Sequence, residues 1–339
     1  MKSTLHIRGP FGPFDDPLLY LRFYYTGRAI LFDLGELDGF APRDLLRITD
    51  VFVSHAHMDH FAGLEKLLRL HLHRTPILNI YGPDQFLDRL EGRLSGFTWN
   101  LTHGYPLIIA GYETDGRVLR KASFSADQGF RRRNLDVRPW KGTLLNEKAF
   151  RVTGEILDHG TWCLGFRFEE KFKVNINTGE LKKLGLLPGP WLTGFKDAIL
   201  RGEPPLKRIK ARGTAGPVEL TLADLDGIYH RTRGHVIAYV VDAADTPGNE
   251  KKILNLAKNA DLLYIEAAFS IRDGELAEQR NHLTAQRAGQ LASQAGAART
   301  RLIHLSPRYQ GFESHLVDEA RDGAAGKVRV EAGWKETKI

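Results

Sequence analysis

Apolar residues in the first half of the chain fall mostly in short runs bounded by turn residues, which is the pattern of strands in a sheet. Two such runs, at 18–25 and 28–33, flank Thr26-Gly27 and predict a hairpin. Two other segments, 61–72 and 84–94, have the three-to-four-residue apolar spacing of amphipathic helices. The remaining runs predict strands at 51–54, 77–81, 107–112, 118–124, 150–157 and 163–168.

The second half of the chain alternates between the two patterns. Strands are predicted at 236–242, 262–267 and 301–305, and helices at 250–258, 284–295 and 315–321. Regular alternation of strand and helix is typical of α/β proteins with parallel strands. We therefore expect an α/β fold with many strands.

A basic segment separates the two halves. Between 166 and 217 there are eleven Lys and Arg residues against five Asp and Glu residues, which accounts for nearly all of the net charge of +7. Gly and Pro are also frequent from 175 onward, with room for two short helices near Leu181 and Phe195. We expect one domain over 1–339 with a basic arm or insertion at about 166–217.

The composition is that of an ordinary globular protein, with 42% hydrophobic and 26% charged residues. No apolar run approaches the ~20 residues that a membrane-spanning helix needs, and the first residues contain no signal-peptide core. Cys163 is the only cysteine, which fits a reducing compartment. The expected location is the cytoplasm, without membrane association.

Four side chains able to bind metal lie within six residues, in the pattern H-x-H-x-D-H: His55, His57, Asp59 and His60. They follow the strand at 51–54 and precede the helix at 61–72, so packed elements fix them on both sides. Imidazole and carboxylate ligands suit zinc and similar ions. Four ligands this close would crowd one tetrahedral ion, whereas two ions about 3.5–4 Å apart could share them. His55 and His57 would then bind one ion, and Asp59 and His60 the other.

A two-metal site needs further ligands, and three residues at strand ends qualify. His159 follows the strand at 150–157, Asp242 ends the strand at 236–242, and His304 lies in the strand at 301–305. A carboxylate at Asp242 could bridge both ions. Asp245 is a rival for this role, and we favour Asp242 because it ends the strand directly.

This order of ligands resembles the metallo-β-lactamase superfamily. The resemblance implies an α/β fold of four layers, an αβ/βα sandwich with the metals at one edge of its two sheets. It also implies two Zn²⁺ ions per chain, with Mn²⁺ or Fe²⁺ as alternatives. It assigns His55, His57 and His159 to the first ion, Asp59, His60 and His304 to the second, and Asp242 to a bridging position.

Within the superfamily, several segments resemble the ribonuclease Z family. These are Leu-Phe-Asp-Leu-Gly-Glu at 31–36, Ile-Tyr-Gly-Pro at 80–83, the segment 259–269, His-Leu-Thr at 282–284, His-Leu-Ser-Pro-Arg-Tyr at 304–309, and the glycine-proline element at 184–190. Met58 stands where the family has glycine, Ile265 where it has histidine, and Val241-Asp242-Ala243 where it has Gly-Asp-Thr. The departures indicate a divergent branch.

The resemblance implies a zinc-dependent phosphodiesterase that acts as an endoribonuclease at the 3′ end of precursor tRNA. A hydroxide held between the two ions would attack the phosphorus atom, with Asp59 orienting it. Glu266 and His282 would together supply the proton to the leaving alkoxide.

The basic arm would hold the phosphate backbone, chiefly through Lys207, Arg208, Lys210 and Arg212. By resemblance we also expect a homodimer. Two alternatives stay open at this point: a metallo-hydrolase of a small-molecule ester (a cyclic or small phosphodiester, sulfate ester, lactone or thioester) and a binding protein that has lost catalysis.

Overall fold

The computed structural model describes residues 4–332 and 337–338, and within these ranges the chain folds around two large sheets. The strands are β1 (Leu5–Arg8), β2 (Leu19–Phe23), β3 (Ala29–Phe32), β4 (Ile48–Phe52), β5 (Leu78–Pro83), β6 (Ile108–Thr114), β7 (Val118–Ser125), β8 (Arg132–Pro139), β9 (Thr143–Asn146), β10 (Phe150–Asp158), β11 (Trp162–Glu170), β12 (Lys173–Ile176), β13 (Arg208–Gly213), β14 (Gly216–Thr221), β15 (Tyr229–Thr232), β16 (Val236–Val240), β17 (Leu262–Glu266), β18 (Arg299–Ile303), β19 (Arg329–Ala332) and β20 (Thr337–Lys338).

Helices cover the outer faces of these sheets, and two more lie in the basic segment. They are α1 (Pro42–Leu45), α2 (Met58–Phe61), α3 (Leu64–His71), α4 (Phe86–Ser95), α5 (Thr178–Lys183), α6 (Trp191–Arg201), α7 (Pro247–Ala257), α8 (Gly274–Arg280), α9 (Ala285–Gln294) and α10 (Glu313–Gly323).

The first large sheet has the order β20-β1-β2-β3-β4-β5-β6-β7-β8, and the second has the order β19-β18-β17-β16-β11-β10-β9. Strands β3 to β6 run parallel to one another in the first sheet, as do β16 to β19 in the second. Each parallel set therefore presents its carboxyl ends at one edge, where the chain leaves the strands.

Alternate residues of the strands face different cores. On β4, Val51 packs beneath the helices while Phe52 packs between the sheets, and on β17, Leu263 and Tyr264 divide in the same way. Such strands are buried on both faces and read as continuous apolar runs. The layers are therefore helix, sheet, sheet and helix, and the predicted αβ/βα sandwich is confirmed.

The helix predicted at 61–72 corresponds to α3, which begins only at Leu64, while Phe61 ends the preceding helix α2 and Gly63 lies between the two. The Gly63 amide donates to Leu34 O at 2.7 Å, and a Cβ at this position would lie 2.5 Å from Gly35 O. The close approach of two backbones interrupts the helix and requires glycine there. Strand β8 was missed because it is exposed on both faces, so its sequence carries no apolar alternation.

The basic segment leaves the second sheet after β11 and returns at β16. Residues 173–232 form this arm, with β12 and β15 as its stem, helices α5 and α6, and the hairpin β13–β14. Its own small core includes Leu181, Phe195 and Ile228. Residues 166–170 of the predicted interval 166–217 belong to β11 instead, and the arm extends further, to β15. No helix among the described residues combines the length and the apolar character needed to cross a lipid bilayer.

Candidate metal centre

The predicted ligands leave the two sheets at the same edge. His55 follows β4, Asp242 follows β16 and His304 follows β18, all at carboxyl ends of parallel strands. His159 lies in the turn between β10 and β11, whose strands pair up to Asp158 and Trp162. Residues far apart in sequence therefore converge because the topology brings these strand ends together.

Asp242 lies at the centre of the cluster. Its Oδ2 atom is 3.5 Å from His55 Nε2, 3.3 Å from His60 Nε2 and 3.5 Å from His159 Nε2. Its Oδ1 atom is 3.3 Å from His304 Nδ1. One carboxylate thus faces four imidazoles from three separate segments, the geometry that a bridging ligand requires.

Two groups of potential ligand atoms, which share no residue, contain the seven predicted metal-binding residues. One comprises His55, His57, His159 and Asp242, whose ligand atoms all lie within 4.8 Å of one another. The other comprises Asp59, His60 and His304, in which His304 Nε2 is 3.2 Å from Asp59 Oδ2. The structure brings together all seven predicted metal-binding residues.

Several atoms of the cluster are buried without a hydrogen-bond partner among the described residues: His55 Nε2, His60 Nε2, Asp242 Oδ1 and His304 Nδ1. Buried polar atoms in proteins are nearly always satisfied, because leaving them unpaired costs free energy. All four point into the cluster, and nitrogen with carboxylate oxygen is the donor set that zinc prefers. The residues therefore fit metal ions.

Burial and the nearby carboxylates shift the pKa values of the cluster in different directions. Burial, with His60 nearby, lowers the pKa of His55 to about 2, so its imidazole is neutral and can donate a lone pair. Burial would raise the pKa of Asp242, but His304 and His60 hold it well below its usual range. Burial would lower the pKa of His60, but Asp242 and Asp33 outweigh it and raise the pKa. The two carboxylates thus favour a positive charge at this ring, which a bound metal ion would supply in place of the proton.

A second layer of contacts orients the ligands. Asp33, fully buried, accepts hydrogen bonds from the backbone and hydroxyl of Ser54, from His60 Nδ1 at 2.9 Å and from the Tyr239 hydroxyl at 3.0 Å. His159 Nδ1 donates to Asn281 O at 2.8 Å. These bonds occupy one ring nitrogen and leave Nε2 facing the cluster.

The sequence motifs assign no role at the site to Asp33, Ser54 or Tyr239. Asp33 follows β3, which pairs in parallel with β4, the strand before His55. A carboxylate at the end of a neighbouring parallel strand is the sequence feature that could have identified Asp33 as part of the site.

Three residues of this edge have left-handed backbone conformations: Asp33 at φ 56°, Asp242 at φ 51° and His304 at φ 56°. Non-glycine residues rarely adopt this region, and such conformations cluster at functional sites. Asp33 and His304 follow a parallel strand directly, and Asp242 follows one after a single residue, Val241. The turn in the backbone directs each side chain toward the space between the sheets.

Glu266 and His282 form a pair beside the cluster. Glu266 ends β17 and is fully buried, and its Oε2 atom is 2.8 Å from His282 Nδ1. The His282 ring centroid lies 4.7 Å from that of His159 and 5.5 Å from that of His304. Burial would lower the pKa of His282, but Glu266 outweighs it and raises the pKa to about 9. At neutral pH this imidazole carries a proton next to the cluster.

Asp245 lies outside the cluster, because Arg287 Nε donates to its carboxylate at 2.8 Å. The four basic residues predicted to bind substrate also lie elsewhere: Lys207, Arg208, Lys210 and Arg212 are exposed on or next to β13 of the arm. The arm joins the sandwich at Glu170, the far end of β11 from Trp162. Nine residues of extended strand put about 25 Å between these two edges.

The sequence matches curated proteins over nearly its full length. It is 28% identical over 309 residues to "Ribonuclease Z" of Deinococcus radiodurans, covering 90% of each chain. No protein-family model matches the chain.

Solved structures share the architecture. The metallo-β-lactamase fold protein YhfI of Bacillus subtilis covers 99% of this chain, and 98% of YhfI is covered, with a TM-score of 0.55 and 17% identity. This is the metallo-β-lactamase fold. Human tRNase Z, short form, covers 100% of this chain, and 99% of it is covered, with a TM-score of 0.52 and 18% identity.

The resemblance to ribonuclease Z that the sequence motifs predicted is therefore confirmed. With this fold, these relatives and the cluster of ligands, the chain is a metal-dependent hydrolase.

Proposed function

We propose that the chain is an endoribonuclease similar to ribonuclease Z, which uses two zinc ions to hydrolyse a phosphodiester at the 3′ end of precursor tRNA. The curated relative named ribonuclease Z supports the RNA substrate. His55, His57 and His159 would hold one ion, and Asp59, His60 and His304 the other, with Asp242 between them.

The Glu266–His282 pair is the observation that most strongly supports this proposal. Metal ligands alone serve many hydrolases of this fold, whereas a buried carboxylate that keeps an imidazole protonated beside them supplies a general acid. Cleavage of a phosphodiester releases an alkoxide, which is a poor leaving group unless it is protonated. His282 would donate that proton from Nε2, while Glu266 holds its Nδ1.

When bound, the zinc ions would lower the pKa of a water molecule and neutralise negative charge on the phosphate. Asp59 lies on the open side of the cluster, with its side chain 42% exposed and Oδ2 held 3.2 Å from His304 Nε2. From there it would orient the attacking water. Asp33 would keep His60 in the ligand geometry.

The arm would bind the tRNA backbone. Arg208, Lys210 and Arg212 alternate along β13 and share its exposed face, with Lys207 just before it. Because this face lies at the edge away from the chain's own metal centre, one arm would hold RNA for the centre of a second copy. This separation supports a homodimer.

The proposed location is the cytoplasm, where precursor tRNA would be available. The lone Cys163 is buried, so the described part of the chain does not depend on a disulfide.

The direct test is to incubate the zinc-loaded chain with a 3′-extended precursor tRNA and to map the product ends. Cleavage at one site near the end of the acceptor stem is expected. A small phosphodiester and a lactone run in parallel would identify the alternative, since turnover of either with intact tRNA would reject the RNA substrate. Metal analysis of the pure protein, with two zinc ions per chain expected, tests the cofactor separately.

A further inference from the structure

Two cavities adjoin at the edge of the sandwich opposite the metal centre. The first, which we call the aromatic cavity, has a volume of about 520 Å³ and lies between the β2–β3 turn, the β9–β10 turn and the end of β11. The second, the basic cleft, has a volume of about 1320 Å³ and lies between the body and the arm. Thr4 and Tyr25 line both, so the two spaces are direct neighbours.

The walls of the aromatic cavity suit a nucleobase. Phe23, Tyr25 and Phe150 line it. The rings of Phe23 and Phe150 stack on each other with their centroids 4.8 Å apart, so Tyr25 is the ring that we assign to contact with a base. Asn146 and Glu147 offer polar atoms at its rim. Its volume falls in the range of small-molecule sites, about 300–1,000 Å³. Aromatic faces with a few polar atoms are the means by which proteins bind single bases.

Arg28 fixes one side of the aromatic cavity. Its guanidinium donates to Glu147 at 2.6 Å and to Asp50, and it lies 5.5 Å from the centre of the Phe150 ring. These contacts hold the rim carboxylate of Glu147 in one position. The cavity is therefore shaped before any ligand enters.

The basic cleft suits phosphate groups. Lys173, Lys196 and His230 line it together with the hydroxyl groups of Thr193 and Thr232. Among the described residues that line the cleft there is no Asp or Glu. Lysines and hydroxyl groups without a competing carboxylate attract an anion.

The junction of the two spaces places charge next to an aromatic ring. Lys196 Nζ is 3.3 Å from the Tyr25 hydroxyl and 5.0 Å from the centre of the Tyr25 ring. Helix α6 runs past both spaces, with Lys196 facing the cleft and Leu200 facing the aromatic cavity. A ligand with an aromatic group joined to phosphate could place the aromatic group in the aromatic cavity and the phosphate in the basic cleft.

We propose that the two cavities form one binding site for a nucleoside phosphate, with the base in the aromatic cavity and the phosphates in the basic cleft. The site is separate from the metal centre and does not depend on the proposed RNA substrate. Because its walls belong to both the body and the arm, occupancy would fix the arm against the body. The ligand could be a free nucleotide or one nucleotide of a bound RNA.

The test measures binding to the metal-loaded full chain by calorimetry, with ATP, AMP, adenosine, pyrophosphate and a short oligoribonucleotide as probes. The double variant Lys173→Ala/Lys196→Ala should weaken ATP binding about tenfold or more, since each lysine contact to phosphate is charge-assisted. Tyr25→Leu should weaken ATP and AMP but not pyrophosphate. The control Lys251→Ala/Lys258→Ala removes the same charge from the surface around α7 and should bind as the unchanged chain does.

Melting curves establish that each variant is folded. Binding of ATP that is equal in all variants would place the nucleotide elsewhere, for example at the metals, and would overturn the proposal. Pyrophosphate binding as tightly as ATP, with no effect of Tyr25→Leu, would overturn the base site. Binding of the oligoribonucleotide alone, lost in the lysine variant, would support the site and identify RNA as the source. No binding of any probe at millimolar concentration would reject it.

Discussion

At the scale of single residues, the metal centre depends on which nitrogen each imidazole presents. Asp33 engages Nδ1 of His60, and Asn281 O engages Nδ1 of His159, so both rings direct Nε2 toward Asp242. Glu266 does the same for His282, which is a proton donor rather than a ligand in the proposed mechanism. Each of these partners sets the tautomer and the orientation of the ring that it contacts.

Replacing His282 should separate catalysis from metal binding. His282→Ala is expected to slow phosphodiester cleavage by about 10²–10⁴-fold while zinc content stays unchanged, because the general acid is lost and the ligands remain. Turnover and metal content are measured on the same sample. His103→Ala, at a side chain that is 95% exposed, is the control. Undiminished turnover in His282→Ala would refute its assignment as the acid.

Replacing Asp33 should instead weaken the binding of zinc. Asp33→Asn keeps the shape but removes the charge that holds His60, so zinc affinity should fall by about 10–100-fold. Competition with a chromophoric chelator gives the affinity. Asp38→Asn removes a carboxylate that is 74% exposed and should leave the affinity as it was. Equal affinities for both variants would show that Asp33 does not support the ligand.

At the scale of elements, β11 connects the edge of the candidate metal centre with the edge that carries the arm. It begins beside His159 and ends at Glu170, where the arm departs. The Glu170 amide donates to His235 O at 2.8 Å, and its carboxylate accepts from the His235 amide at 3.1 Å. These bonds tie the outgoing and returning chains together, so the base of the arm is fixed to the second sheet.

The buried carboxylate of Glu170 makes stability depend on pH. Burial raises its pKa from 4.5 to about 6, so folding favours the protonated form. The contribution of this group to the free energy of unfolding is complete below about pH 4.5 and is lost as the pH rises through 6. The free energy lost is about 2 kcal/mol. Glu170→Gln should therefore raise the free energy of unfolding by about 2 kcal/mol at pH 7.5 and change it little at pH 4.5.

Urea denaturation at the two pH values measures this difference. Glu169→Gln is the neighbouring control, since that side chain is 29% exposed and paired with Arg151. It should change stability by less than about 1 kcal/mol at either pH. A similar response of both variants to pH would contradict the prediction for Glu170.

At the scale of the whole molecule, the arm and the candidate metal-binding residues lie at opposite edges of one sandwich. The arm has its own small core and a two-stranded stem, and its ends are adjacent in space. A short Gly-Ser linker could therefore replace residues 173–232 without disturbing the sheets. This separation makes the two activities independently removable.

Deleting the arm should abolish cleavage of precursor tRNA while sparing hydrolysis of a small phosphodiester. In the intact chain, tRNA affinity should fall steeply with salt, and loss of the four basic residues around β13 should reduce the slope of log affinity against log salt by about 3. Binding titrations at several salt concentrations give this slope. Equal loss of both activities after deletion would contradict the separation.

The sequence by itself predicted most strands of the two large sheets and the candidate metal-binding residues. Apolar runs buried on both faces located β4, β16 and β17, and H-x-H-x-D-H placed its four ligands at a strand end, because both signals are local. The many Lys, Arg, Gly and Pro residues indicated the arm but not where it begins. Basic residues occur already in β11, so composition does not separate this strand from the arm. Lys207 and its neighbours could be recognised as basic but not as lying away from the metal centre.

Only the tertiary structure decided which distant residues meet. Asp242 and Asp245 follow the same strand, and the left-handed backbone at Asp242 directs one of them into the cluster while Arg287 binds the other. Asp33 gained its role in the same way, through contacts with His60 on α2 and Tyr239 on β16. Such contacts depend on the order of strands in the sheets, which no local pattern encodes.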